Sequence, residues 1–298
     1  MPNNGKTTLG REASDKLNLP FYDTDSLVES DMGLDIPEVI KMYGWDIFRD
    51  LEAMQLFNCV EDKNEKLKNC ISMISTGGGI IERKFCRNLL ENCLVIWVKR
   101  DNCVPTDRSL SDSYHNLEIE RRNIYENLAD YIYLNNGSIE NFVSWLKLIL
   151  SVKPIPNKST FLCKTNTDYE SNIANCIELR GDMMDNYGLD DIQKMMVNFN
   201  RKCIYTLRTE NEGGKFNGLN YKDIILRAIK YGAQLVDIEV SYNLEFIENI
   251  ITIGSIHSNN MKYIDENIKK FNYDILKVVT NEENCQEILK INNLANEK

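Results

Sequence analysis

Apolar residues recur along this chain at two spacings, and the two alternate. In the first 150 residues, stretches with helical spacing are separated by short, dense apolar runs. The pattern predicts helices over 7–17, 36–60, 114–128 and 139–150, and strands over 20–23, 71–75, 94–98 and 131–134. Strands buried on both faces read as continuous apolar runs, so this half is expected to be α/β, a parallel sheet with helical crossovers. The strand that should precede residue 5 is expected to be missing.

Pro154 and Pro156 mark a linker over 151–159. Beyond it the alternation restarts, with strands predicted over 160–163, 176–179, 203–207, 235–240, 250–253 and 275–279. Helices fill the gaps, among them 221–231 and 260–271. Six strand–helix units in order predict a truncated (β/α)8 barrel with about six strands, the last two lying outside the chain. An open doubly wound sheet is the competing arrangement. The domain reading is therefore 1–150, a linker, and 160–298.

Composition narrows the function classes. The 298 residues have room for two domains, and 43% hydrophobic content suffices for two cores. A formal charge of −10, without a long run of Lys or Arg, argues against a direct nucleic-acid surface. No apolar stretch approaches the ~18 residues of a membrane span, and the first residues lack the apolar segment of a secretory leader. The nine cysteines are scattered without a Cys-x-x-Cys pair, as expected for reduced, buried thiols in the cytoplasm. Two histidines leave little scope for histidine metal sites.

Residues 5–8, Gly-Lys-Thr-Thr, match the end of a phosphate-binding loop, Gly-x-x-x-x-Gly-Lys-Ser/Thr, one residue short at the leading glycine. Gly5 and Thr8 would frame the phosphates, Lys6 would reach the β and γ groups, and Thr7 would give its hydroxyl to Mg²⁺. Asp23 and Asp25 follow a predicted strand. Asp23 suits the metal shell and Asp25 suits an acceptor hydroxyl; a strand-end turn and helix cap is the plain alternative. This P-loop kinase-like half resembles shikimate kinase in Thr8-Leu9-Gly10-Arg11, Phe21-Tyr22-Asp23-Thr24-Asp25, Gly44-Trp45-Asp46-Ile47-Phe48-Arg49, Gly77-Gly78-Gly79-Ile80-Ile81-Glu82 and Glu120-Arg121-Arg122-Asn123-Ile124-Tyr125. The resemblance implies ATP with Mg²⁺, and shikimate held by Asp25, Arg49, Gly78, Gly79 and Arg121. It also implies that Arg108, in Asp107-Arg108-Ser109-Leu110, covers the nucleotide phosphates, with serine in place of the family's proline. Two arginines suit a carboxylate; ordinary surface charge is the alternative.

In the second half, charged residues fall within or just beyond apolar strands: Glu178, Arg180, Arg208, Glu212, Asp237, Glu239, His257 and Lys277. Such residues are rare in barrel strands unless they face a site. Desolvation is expected to lower the pKa of Lys277 and free its amine for a Schiff base. His257, oriented by Glu212, would move protons. Arg180 and Arg208 suit a substrate carboxylate; an ion-pair network internal to the sheet is the alternative. This half, from about residue 158 onward, resembles type I 3-dehydroquinate dehydratase in Glu178-Leu179-Arg180-Gly181-Asp182, in Thr206-Leu207-Arg208-Thr209-Glu210-Asn211-Glu212-Gly213-Gly214, and around His257 and Lys277. The resemblance implies Lys277 as imine former, His257 as general acid and base, Glu178 among the substrate-binding residues, and β-elimination of water from 3-dehydroquinate through an enamine, with no cofactor. Ser258 stands where the family usually has aspartate.

The order of the two halves is similar to that of the fungal pentafunctional AROM polypeptide and of the related quinate repressor. It implies a cytoplasmic enzyme segment acting on shikimate and 3-dehydroquinate. The alternative is a catalytically inactive metabolite-sensing regulator, nuclear if so, or a truncated remnant. Open strand edges are expected to be completed by a homodimer contact or a partner chain.

Overall fold

The computed structural model describes residues 4–61, 71–100, 111–151, 176–242, 250–269 and 272–280, with the single positions 244 and 247. Arg108, the strand expected over 160–163 and nearly all of the expected linker lie outside these residues. The chain divides into two compact units, Met1–Leu146 and Lys147–Lys298.

The first unit opens with α1 (Lys6–Leu17), whose buried face carries Leu9 and Ala13 and lies on β1 (Phe21–Asp23) and β2 (Met73–Ser75). β1 and β2 pair in parallel, with Tyr22 opposite Ile74. The sequence pattern did not predict α2 (Thr24–Met32). It starts where Asp23 takes the N-cap and accepts a hydrogen bond from the Ser26 amide at 3.1 Å. α3 (Ile36–Glu61) is interrupted at Gly44, whose φ of 84° departs from the helix. Val28, Ile36, Val39 and Phe48 form one core cluster, and Ala53, Leu56, Ile80, Ile81 and Cys86 a second, which receives α4 (Lys84–Leu90). β3 (Ile96–Lys99) pairs in parallel with β4 (Tyr131–Leu134), linked in sequence through α5 (Ser111–Leu128). Tyr133, Phe142 and Trp145 pack as an aromatic group where α6 (Ile139–Leu150) covers β4.

Among the described residues the four strands form two separate two-stranded sheets, β1–β2 and β3–β4. The head of α1 reaches the second pair: Asn4 Nδ2 donates to the Val98 carbonyl at 3.0 Å, and Asn135 Nδ2 donates to the Asn4 carbonyl at 2.7 Å. One helix thus rests on β1 and β2 while its start is tied to β3 and to the residue after β4.

The second unit holds a five-stranded, all-parallel sheet of the kind a partial barrel contains. Its elements in chain order are β5 (Cys176–Arg180), α7 (Asp191–Phe199), β6 (Lys202–Thr206), α8 (Tyr221–Lys230), β7 (Leu235–Glu239), β8 (Ile251–His257), α9 (Met261–Lys269) and β9 (Ile275–Val279). Spatial order follows chain order. β8 runs past its expected end at 253, because Gly254 and Ser255 pair with β7 on one side and β9 on the other.

Alternation along strands sorts side chains onto two faces. On one face Cys176, Ile204, Leu235 and Ile253 pack together at the early ends of the strands, joined by Ile251 and Ile275. Further along that face come Glu178, Arg180, Thr206, Asp237, Glu239, Ser255, His257 and Lys277. On the other face Ile256, Leu276 and Val278 pack with Ile264 and Ile268 of α9. The face thus changes from apolar to charged within one strand length, which concentrates polar chemistry at the carboxyl ends of the strands. Cys86, Cys176 and Cys203 are buried and unbridged, and burial pushes their thiol pKa values up. No helix among the described residues is long and apolar enough to cross a membrane.

Candidate active sites

Gly5, in the left-handed region at φ 80°, starts α1 with no capping side chain and no acidic residue in the first turn. That leaves the helix start suited to an anion, since its first N–H groups lack intrahelical acceptors. Lys6, Thr7 and Thr8 form this turn. Thr7 Oγ1 donates to Asp23 Oδ2 at 2.8 Å and lies 3.3 Å from Ser75 Oγ. Asp23 therefore caps α2 with one oxygen and meets the Thr7 hydroxyl with the other. Hydroxyl and carboxylate oxygens are the donors Mg²⁺ prefers, and this set fits that ion. Ser75, at the end of β2, was not anticipated.

A second group lies around Gly77–Gly79. Arg49 donates from Nη1 to Glu52 and from Nε to Glu82 Oε2 at 2.9 Å, and its guanidinium lies over the Trp45 and Phe48 rings at 5.1 and 5.3 Å. Arg121 donates to the other oxygen of Glu82. Any side chain at Gly79 would overlap the Arg49 guanidinium, which explains the glycine. The Gly78 carbonyl accepts from Tyr125 Oη. Asp25 Oδ1 and Glu52 Oε1 both border the space that a side chain on Gly77 would take. Burial raises the Asp25 pKa, with the Asp23 charge adding to the rise and Lys6 and Arg49 opposing it. Burial also pushes Glu52 up to about 7 despite the Arg49 charge, with Asp25 contributing.

Asp25 Oδ1, Glu52 Oε1 and Arg121 Nε are all buried without a hydrogen-bond partner among the described residues. Unsatisfied polar atoms are costly and rare, so such a group fits a polar ligand that carries both donors and acceptors. The structure places Asp25, Arg49, Gly78, Gly79 and Arg121 around this group, together with Glu52 and Glu82, to which the sequence assigned no role. The spacing of Glu52, three residues after Arg49 on one helix, was the available signal.

At the charged end of the five-stranded sheet, one chain of contacts joins most of the expected residues. Lys277 Nζ donates to Asp237 Oδ2 at 2.8 Å and lies 3.8 Å from Glu178 Oε1. Asp237 Oδ1 accepts from Arg208 Nη2 at 3.0 Å and from Ser255 Oγ at 2.5 Å. Arg208 Nη1 donates to Glu212 Oε2 at 2.9 Å and to Ser255 Oγ at 2.8 Å. The same Glu212 oxygen is 2.8 Å from His257 Nδ1, the orientation expected of that pair. Glu178 also accepts from Thr206 Oγ1 at 2.6 Å, and Glu239 takes the Thr209 amide and hydroxyl, each at 2.7 Å. His257 and Lys277 are on neighbouring strands, His257 two residues further along the same face.

Two expectations need correction or refinement here. The pKa of Lys277 is raised, not lowered: burial does pull it down, but the charges of Asp237 and Glu178 outweigh that. Arg208 has only 4% of its side chain exposed and is surrounded by Glu212, Asp237 and Glu239, so it builds the internal network that stood as the alternative. Arg180 is more open and pairs through two bonds with Asp182, which also accepts from the Arg208 and Lys215 amides. The Arg208 carbonyl approaches Gly214 so closely that a side chain there would strike it. Lys277, with 32% of its side chain exposed, is the most open member of the network around Asp237. An amine held in a carboxylate cage, next to a histidine whose other nitrogen is free of Glu212, has the parts for carbonyl chemistry with proton transfer.

Comparison with known proteins gives two matches in tandem. Residues 2–148 match the family described as shikimate kinase, and residues 162–298 the family described as type I 3-dehydroquinase. The pentafunctional AROM polypeptide of Pneumocystis carinii is 31% identical over 305 residues, covering 83% of this chain and 19% of that protein. That of Clavispora lusitaniae is 29% identical over 290 residues, covering 83% and 18%. The chain thus spans about a fifth of the length of these relatives. Among solved structures, shikimate kinase from Aquifex aeolicus is 29% identical with a TM-score of 0.43, covering 50% of this chain and 90% of that one.

Proposed function

The chain belongs to the shikimate kinase family over residues 2–148 and to the type I 3-dehydroquinase family over residues 162–298, and from this premise we propose that it carries two activities of one pathway. The first unit phosphorylates the 3-hydroxyl of shikimate, and the second dehydrates 3-dehydroquinate through an imine on Lys277. The observation that carries the reading is the contact chain Lys277–Asp237–Arg208–Glu212–His257, because it supplies an amine nucleophile, a proton carrier and the anions that position both.

In the dehydratase step, a ketone approaching Nζ takes the place of the Asp237 contact. The amine adds to the carbonyl carbon, the carbonyl oxygen leaves as water, and the C=N bond forms. His257, fixed at Nδ1 by Glu212, presents Nε2 to remove a proton beside the imine carbon. The same nitrogen then returns a proton to the departing hydroxyl, so water leaves and the enamine electrons close the new double bond. Hydrolysis of the imine restores Lys277. Asp237 stabilises the ammonium form before attack and takes one of its protons as the carbonyl arrives, so that the neutral amine can add.

In the kinase step, ATP would supply the phosphoryl group and Mg²⁺ would offset the negative charge of the phosphates. Lys6 and the first amides of α1 would hold those phosphates, and Thr7 with Asp23 would hold the ion. Asp25 would orient the acceptor hydroxyl and take its proton, a role suited to a carboxyl with a raised pKa. Arg49 and Arg121 would hold the substrate carboxylate.

The test is borohydride trapping of the 298-residue chain with 3-dehydroquinate, read by intact mass, beside an ATP-coupled assay with shikimate. A substrate-sized adduct that disappears in Lys277→Ala, and ATP consumption that disappears in Lys6→Ala, are expected. Folded protein giving neither adduct nor turnover would refute the reading.

A further inference from the structure

The carboxylate of Glu82 occupies both arginines assigned to the substrate. Its Oε2 takes Arg49 Nε at 2.9 Å and its Oε1 takes Arg121. The two carboxylates around Arg49 are held differently. Glu52 is 1% exposed and fixed, whereas 39% of the Glu82 side chain is open to solvent. The backbone of Glu82 is tied down, its amide bonded to the Gly79 carbonyl at 2.9 Å and its carbonyl accepting from Arg87. Only the side chain is left to move. When it swings away it regains water at little cost, while Glu52 continues to aim Arg49.

We propose that Glu82 is an internal latch: its carboxylate stands in for the substrate's on the Arg49–Arg121 pair and is displaced when an anionic ligand arrives. The proposal rests on the reading of this pair as the carboxylate-holding group of the first unit. Binding is then a carboxylate exchange, and the latch weakens apparent affinity by the fraction of time it holds the arginines. If the latched state occupies about nine tenths of the molecules, removing it tightens binding roughly tenfold. A purely positioning role has the opposite sign, because loss of Glu82 would let the arginines wander and weaken binding.

The experiment is calorimetric titration of the full chain and of its Glu82→Gln and Glu82→Ala variants. The probes are shikimate, its neutral methyl ester, and cyclohexanecarboxylate, a ring acid without hydroxyls. Both variants are expected to bind the two carboxylates roughly tenfold more tightly, with the ester changed far less. Unchanged or weaker carboxylate binding in the variants would overturn the latch. If cyclohexanecarboxylate tightens while shikimate binds none of the proteins, the latch stands and the shikimate assignment falls. If no carboxylate binds any of them, the latch falls as well.

Discussion

Replacing Glu52 by glutamine isolates the energetic effect of one buried carboxyl. Glu52 has its pKa pushed from 4.5 to about 7, first by burial, with Arg49 opposing and Asp25 adding. A carboxyl with a higher pKa folded than unfolded binds its proton more tightly in the native state. Its contribution is whole below about pH 4.5 and is lost as pH rises through about 7. The shift corresponds to roughly 3 kcal/mol over the full window, and with 1% of the side chain exposed no discount for solvent screening applies. Glutamine retains an oxygen for Arg49 and turns an N–H toward the unpartnered Asp25 Oδ1. The wild type is therefore expected to lose about 3 kcal/mol relative to Glu52→Gln between about pH 5 and pH 8, roughly 6–12 °C in melting temperature. The readout is specific to the first unit, because all three tryptophans, Trp45, Trp97 and Trp145, lie in it. Thermal melts followed by tryptophan emission across this pH range give the number. A difference between the two proteins that does not vary with pH would refute the reasoning.

The other predictions concern single contacts. Arg208→Met leaves Asp237, Glu212 and Glu239 without their shared guanidinium and should cost about 3–5 kcal/mol, measured by urea unfolding followed by circular dichroism; a loss below ~1 kcal/mol would contradict the network. Glu212→Gln keeps the shape but removes the anion at His257 Nδ1. Dehydratase kcat should fall about 10²–10³-fold while borohydride still traps an adduct on Lys277, and loss of the adduct would mean that Glu212 acts before imine formation. Gly79→Ala pushes the Arg49 guanidinium aside, so the KM for shikimate should rise roughly tenfold with the KM for ATP unchanged, as steady-state kinetics would show.

Much of the fold was legible because burial leaves a period in the sequence. The strands at Tyr131–Leu134 and Ile275–Val279 and the helix at Ile139–Leu150 begin and end where the apolar pattern does. α2 was missed because of its nine residues only Thr24 and Val28 are buried, too few to show a period. The break at Gly44 was missed because the apolar spacing continues on both sides of it. In the candidate sites, residue types pointed to Lys277, His257 and Glu212, but pairing across strands cannot be read from a single strand. Asp237 was visible as an acid in an apolar run. Only strand register shows that it holds both Lys277 and Arg208 and so reverses the expected pKa shift of the lysine.

Among the described residues, the charged end of the five-stranded sheet gathers Glu178, Asp182, Glu212, Asp237 and Glu239 around Arg180, Arg208, Lys277 and His257, so acids outnumber bases before any ligand arrives. An anion that settles there deepens that deficit unless protons enter with it. Occupancy and proton uptake are then thermodynamically linked, and apparent affinity for an anionic ketone rises as the medium becomes more acidic. Binding heats measured in buffers of unlike ionisation enthalpy would count those protons, making the sheet end a proton reservoir whose filling reports occupancy.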